Sequence, residues 1–218
     1  MAQLVKSGIG ELFPMVRTEG KHVSSAIRRM CIQLGHFDDR PLPADMSLLE
    51  LGNSFEDALC AALAERFRIS APDRYIRIGE QEFEGIFGTP DLVDLEPWLD
   101  YAPGSWRYEF EQATGPAGIE VKLTQMSVKH DPQSPKFWRY WKQMQAYGKM
   151  LDMRKWRLHI VHEVDWSFGK MGECPHCGKL VDRSHYHEWE PSSSGPNEPG
   201  LFTQREMDSA WAMVKAYV

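Results

Sequence analysis

No run of apolar residues in this 218-residue chain approaches the roughly 20 needed to cross a bilayer as a helix. The opening stretch, MAQLVKSGIGELF, carries no hydrophobic h-region, so no cleaved signal peptide is expected and the predicted location is cytosolic. Cysteine is scarce: Cys31, Cys60, Cys174 and Cys177 are all there are, too few in a cytosolic chain to read as a disulfide framework. Positive charge is not in excess either. The 25 Lys and Arg face 31 Asp and Glu, a formal charge of −6, which excludes a polybasic tail and leaves a local basic face open. Internal repeats are absent, which excludes solenoid arrays. What is present is an ordinary globular balance, 42% hydrophobic and 26% charged, in a length suited to one domain over residues 1–218.

The patterning predicts a mixed order of elements. A first helix is expected from about Ser24 to Leu34, capped by Ser24 or Ser25 and ended by Gly35. Residues Asp38 to Met46, with two prolines, read as a loop. A second helix is expected over about Phe55 to Phe67, with Asn53 or Ser54 as its cap. The period then changes to two. Tyr75 to Ile78 and Glu82 to Phe87 read as strands around a Gly79-Glu80-Gln81 turn, with Asp91 to Val93 continuing the second. A Pro/Gly-rich insertion, Pro97 to Gly118, includes a short strand at Trp106 to Phe110. Ile119 to Thr124 alternates cleanly, with Glu120, Lys122 and Thr124 on one face. Pro132 and Pro135 precede a long helix from about Lys136 to Leu151, and Arg157 to Val164 reads as a further strand. A Cys/His hairpin (about 171–190), a Ser/Pro/Gly linker (191–200) and a closing helix (203–218) follow. Thr203 and Glu206 form a capping box for that helix, and Met207, Trp211 and Val214 its apolar stripe. This order predicts an α/β fold: one central mixed sheet flanked by helices, with a core at about 24–164.

Three acids and a lysine stand out. Asp91 ends Gly88-Thr89-Pro90-Asp91, Glu120 and Lys122 share a strand face, and Glu56 lies in the first turn of the second helix. A Glu-x-Lys pair on a strand is by itself a solvated pair. On a central strand its polar face is enclosed, and enclosed charges need partners. A divalent cation held by Asp91 and Glu120 would supply one. Such a hard ion prefers oxygen ligands, neutralises phosphate charge and activates water, which is what phosphodiester hydrolysis needs.

Gly88-Thr89-Pro90-Asp91 followed by Glu120-Val121-Lys122 resembles the Pro-Asp…(Asp/Glu)-x-Lys signature of the restriction-endonuclease-like, or PD-(D/E)XK, nuclease superfamily. Gln143 and Tyr147, in Gln143-Met144-Gln145-Ala146-Tyr147, are similar to the Gln-x-x-x-Tyr motif of its RecB-like and Cas4-like exonuclease branch. Glu56 resembles the helical acid that precedes the hairpin in many members. The resemblance covers about Ser24 to Val164. It implies a restriction-endonuclease-like core and a DNA nuclease, exonuclease more than endonuclease. Glu56, Asp91, Glu120 and the carbonyl of Val121 would hold Mg²⁺ or Mn²⁺, Lys122 would serve the attacking water, and Gln143 and Tyr147 would look into the site from one helix face. A stand-alone version of this size resembles nucleases of phages and mobile elements, which would act in a bacterial cytoplasm beside recombination or phage-assembly partners. The other reading is a nucleic-acid-binding or structural assembly protein that keeps the nuclease fold.

From Lys129 to Arg157 eight positive side chains face two negative ones, Asp131 and Asp152, with Phe137, Trp138, Tyr140 and Trp141 interleaved. Cations for phosphates and rings for unstacked bases are the ingredients of single-strand binding, and Lys136, Arg139 and Lys142 are the expected DNA contacts. An ordinary amphipathic helix has the same composition. Finally, Cys174 and Cys177 are followed by His185 and His187, which alternate on an expected strand, so Cys-x₂-Cys…His-x-His could close a tetrahedral zinc site. The pair could also hold no metal. Cas4-like relatives often carry an iron–sulfur cluster with one Cys before the core and three after it; Cys31 is placed like the first, but the C-terminal set holds only two, Cys174 and Cys177.

Overall fold

The structure is a computed structural model that describes residues 18–35, 54–62, 74–95, 102–105, 109, 114–124, 137–163, 172–181, 184–191 and 200–218. Among the described residues, five strands form the central sheet in the order β1-β4-β5-β6-β9. They are β1 (Tyr75–Ile76), β4 (Leu92–Asp94), β5 (Ala117–Thr124), β6 (Trp156–Glu163) and β9 (Ser184–Trp189). β5 and β6 pair in parallel and the other neighbours antiparallel, so the sheet is mixed. A parallel step needs a crossover, and helix α3 (Trp138–Leu151) provides it. The α/β class and the central mixed sheet flanked by helices are as the patterning predicts.

Helices α1 (Val23–Gln33), α3 and α4 (Gln204–Tyr217) bury one contiguous core with Trp156, Leu158 and Ile160 of β6. The opposite face is covered by the helical residues 54–62 (α2), where Leu59 and Cys60 pack on Tyr75, Leu92, Ile119 and Val121. Gly118 is fixed by a close approach: a Cβ there would stand 2.6 Å from the Trp156 ring. β5 and β6 can lie side by side at this point only because residue 118 has no side chain.

Several boundaries differ from the expectation. Helix α1 starts on His22, not on Ser24 or Ser25, because His22 is held extended in a bridge to Phe87. The hairpin turn is Glu84-Gly85, not residues 79–81. It joins β2 (Gln81–Phe83) to β3 (Ile86–Gly88), with both turn residues at positive φ, 51° and 74°. Glu84 is an unusual residue for that position. Its carboxylate accepts from Trp211 Nε1 at 3.0 Å and meets Lys215 at 3.1 Å, so α4 holds the turn. β4 is a strand of the central sheet in its own right. Glu109 lies in a helical turn, where a strand was expected. The predicted loop at 38–46, the cap Asn53, the end of the second helix after residue 62, Pro132, Pro135 and Lys136, and most of the linker lie outside the described residues. The closing helix has the predicted capping box, with Thr203 and Glu206 each accepting from the other's backbone N–H, and buries Met207, Trp211 and Val214.

Candidate active site

β5 is the middle strand of the five, which is why its polar face is enclosed. Glu120 is 0% exposed. Its Oε1 accepts from Lys122 Nζ at 2.8 Å and from Gln143 Nε2 at 2.9 Å. Its Oε2 is buried and has no hydrogen-bond partner among the described residues. Asp91, immediately before β4, accepts the backbone N–H of Val121 on Oδ2 at 2.8 Å and lies 3.6 Å from Lys122 Nζ. Glu56 arrives from the first turn of α2, with Oε1 3.2 Å from the same ammonium. Lys122 also donates to the Val121 carbonyl at 2.8 Å. On α3, Gln143 and Tyr147 are one turn apart, and the Gln143 amide donates to the Tyr147 hydroxyl at 3.0 Å. All seven residues expected from the resemblance therefore meet in one place, brought from α2, the residue before β4, β5 and α3.

The electrostatics follow from three carboxylates and one ammonium in an enclosed space. Burial, then the charge of Asp91, pushes Glu120 up to about 8. Burial also pushes Glu56 up to about 7; Lys122 pulls it down and Asp91 raises it. Burial pulls on Lys122 as well, but Asp91, Glu120 and Glu56 together hold it well above the ordinary lysine range. The Tyr147 phenol is raised by burial and by Glu120, so it stays a neutral hydroxyl.

These residues fit a hard divalent cation. The donors are all oxygen, they outnumber the single ammonium, and Glu120 Oε2 has no hydrogen-bond partner among the described residues. Because Glu56 and Glu120 are raised, the metal-free site carries protons near neutrality that a cation must displace. The sign for stability is definite. A carboxylate raised by folding costs the metal-free protein stability as pH climbs from its unfolded value, about 4.5, towards 7 or 8, and a bound cation removes that cost. The gain in Tm from saturating Mn²⁺ is therefore expected to be larger at pH 8.5 than at pH 6. Equal gains by calorimetry at the two pH values would remove Glu56 and Glu120 from the ligand set.

The basic tract divides. Arg157 is 2% exposed and faces Asp94, Glu188 and Glu190. Arg154 donates to the Phe202 carbonyl, Lys155 to Thr114 and Gly115, and Lys149 pairs with Asp208. These four positive residues hold the fold. Lys136 lies outside the described residues. Arg139 and Lys142 remain half-exposed on α3: the Arg139 guanidinium lies over the Tyr140 ring, and Lys142 donates to Gln145 at 2.8 Å. The buried network of Arg74, Asp94 and Arg157 was not anticipated from sequence. The available signal was that both arginines lie in or beside short β-patterned segments.

Of the cysteines, Cys31 and Cys60 are buried in helices, and burial raises both thiols. Cys31 lies in the helical core and is not part of the Cys/His group, so the iron–sulfur pattern gains nothing from it. Cys174, Cys177, His185 and His187 do come together, with ligand atoms all within 4.8 Å of one another.

No family model matches the chain, and no curated protein does. Among solved structures it is similar to an alkaline exonuclease from Laribacter hongkongensis, at 13% identity and TM-score 0.42, over 91% of this chain and 85% of that one. It is also similar to a phage-related exonuclease from Haemophilus somnus 129PT, at 15% identity and TM-score 0.36, over 89% of this chain and 78% of that one. Likeness this loose leaves function to be argued from the side chains of the chain itself.

Proposed function

We propose that the chain is a metal-dependent DNA nuclease of PD-(D/E)XK type that hydrolyses phosphodiester bonds from DNA ends. The observation that carries this reading is the meeting of Glu56, Asp91 and Glu120 around Lys122, with one oxygen of the fully buried Glu120 left without a partner among the described residues. A fold that used these residues only as a core would not converge three acids on one lysine in an enclosed space.

In this reading Glu56, Asp91, Glu120 and the Val121 carbonyl hold Mg²⁺ or Mn²⁺. When bound, the cation supplies charge neutralisation and an acidified water. The chain does the rest. Lys122, kept protonated by its three acids, is a hydrogen-bond donor aimed at the attacking water or a phosphate oxygen, not a base. Gln143 fixes the carboxylate of Glu120 through one amide N–H, and Tyr147 accepts from the same nitrogen and orients it. Arg139 and Lys142 supply positive charge for the DNA backbone on the helix that leads into the site, and Lys136, outside the described residues, is assigned the same role.

The test is direct. Linear and circular DNA are incubated with Mg²⁺ or Mn²⁺, with and without EDTA. Metal-dependent loss of linear DNA alone is the expected result. Loss of both would make the chain an endonuclease, and loss of neither, with binding retained, would make it a DNA-binding protein on a nuclease-like scaffold.

A further inference from the structure

We propose that Cys174, Cys177, His185 and His187 form a closed structural zinc site that pins the hairpin at 172–181 to the edge strand β9. This site is independent of the acid–lysine cluster and stands whether or not that cluster cleaves DNA.

The ligands come from two elements. His185 and His187 are two apart on β9 and both buried, so they share a face. Cys174 and Cys177 flank the turn between β7 (Gly172–Glu173) and β8 (Leu180–Val181). That turn is closed by Cys174 N–H to the Lys179 carbonyl at 2.9 Å and by Gly178 N–H to the Cys174 carbonyl at 2.8 Å. Gly178 sits at φ 69°, a left-handed conformation that lets both sulfurs turn the same way. Cys174 Sγ is 3.1 Å from His187 Nε2, and Cys177 Sγ is 3.3 Å from His185 Nε2. A tetrahedral ion with bonds of about 2.3 Å to sulfur and about 2.0 Å to nitrogen separates its ligand atoms by about 3.3–3.8 Å. The observed spacing, from 3.1 Å to no more than 4.8 Å, brackets that range.

The donor set selects the metal. Two thiolates and two imidazoles in a tetrahedron suit zinc and are wrong for Mg²⁺ or Ca²⁺. Four protein ligands leave no open position, so the role is structural. The need for such an ion is visible in the hairpin. Its two strands pair over only two residues each, and residues 175–179 are exposed. A hairpin that small is not stable alone. His162 and His176 pack edge-on against the His187 ring, and the Trp189 ring lies beside it. His187 shares a cross-strand row with Ile160 and Lys122. The backbone of His187 therefore lies roughly two strand spacings, about 10 Å, from that of Lys122.

The experiment is elemental analysis of the full chain purified without chelators. Wild type is expected to contain about one zinc per chain, as a closed site requires. Glu120→Gln should retain it, and Cys174→Ser and His187→Ala should lose it. Because those two variants can fail to fold, His187→Cys is the control: it restores a thiolate ligand and should hold zinc where alanine does not. Wild type stripped of metal and titrated with Co²⁺ should give the visible bands of a tetrahedral thiolate complex. No stoichiometric zinc together with no tetrahedral Co²⁺ spectrum overturns the proposal. So does iron with broad visible absorbance, or loss of zinc in Glu120→Gln.

Discussion

Glu120→Gln is expected to lower DNA cleavage by at least about 10²–10³-fold, the scale on which removal of a single charge-stabilising group acts. The substitution keeps the shape of the side chain and an oxygen that can still accept from Lys122 and Gln143. It removes the negative charge and replaces one oxygen with a nitrogen that cannot ligate a hard cation. Affinity for DNA without metal should be kept, because the carboxylate, pushed up to about 8, already carries a proton near neutrality there. Stability without metal should be kept too, since the carboxylate it replaces is already raised by burial and by Asp91. The measurements are the rate of loss of end-labelled linear DNA in Mn²⁺, DNA affinity in the presence of EDTA, and thermal melting. A variant that cleaves at the wild-type rate would take Glu120 out of the chemistry. One that loses cleavage, binding and melting temperature together would make it a structural residue.

Which parts of this arrangement were legible in the sequence follows from the range of the forces involved. The central strand was legible because Ile119, Val121 and Leu123 alternate with Glu120, Lys122 and Thr124, and burial on both faces leaves that alternation intact. Gln143 and Tyr147 were legible because a helix puts residues four apart on one face. The closing helix announced itself through Thr203 and Glu206, a local hydrogen-bond pair. The Cys/His group was legible because two short spacings, Cys-x₂-Cys and His-x-His, each hold a pair of thiols or imidazoles together within its own element. The misses have causes distant in sequence. The turn at Glu84-Gly85 is set by Trp211 and Lys215, more than 120 residues away, and no window around residue 84 contains them. The helix starts on His22 because of a bridge to Phe87. Arg157 was counted with its neighbours in a basic tract, whereas the strand turns it onto Asp94 and Glu188. Composition sums charge along the chain; the fold distributes it in space.

Lys122→Met separates the two roles of the lysine, and it is expected to affect both activity and the pH dependence of folding. Methionine keeps much of the length and apolar stem while removing the ammonium. Cleavage should fall by about 10²–10³-fold at any salt concentration, because the donor lost is at the reacting centre and not on the path of the DNA backbone. Without metal, Glu56, Asp91 and Glu120 then face one another with no cation between them. The attraction of Lys122 lowers the proton affinity of Glu56 and Glu120 in the wild type, so its removal raises both further. A carboxylate raised by folding is protonated in the native state at low pH and does no harm there; its cost grows as pH rises from the unfolded value to the folded one. The metal-free variant should therefore melt close to the wild type at pH 5 and clearly below it at pH 8.5. Saturating Mn²⁺ should recover more Tm in the variant than in the wild type, because a cation would again stand among the three acids. Melting curves that run parallel to the wild type across pH, with cleavage unchanged, would show that the ammonium neither holds the three carboxylates together nor acts in the reaction. Lost cleavage with parallel curves would keep the chemical role and discard the electrostatic one.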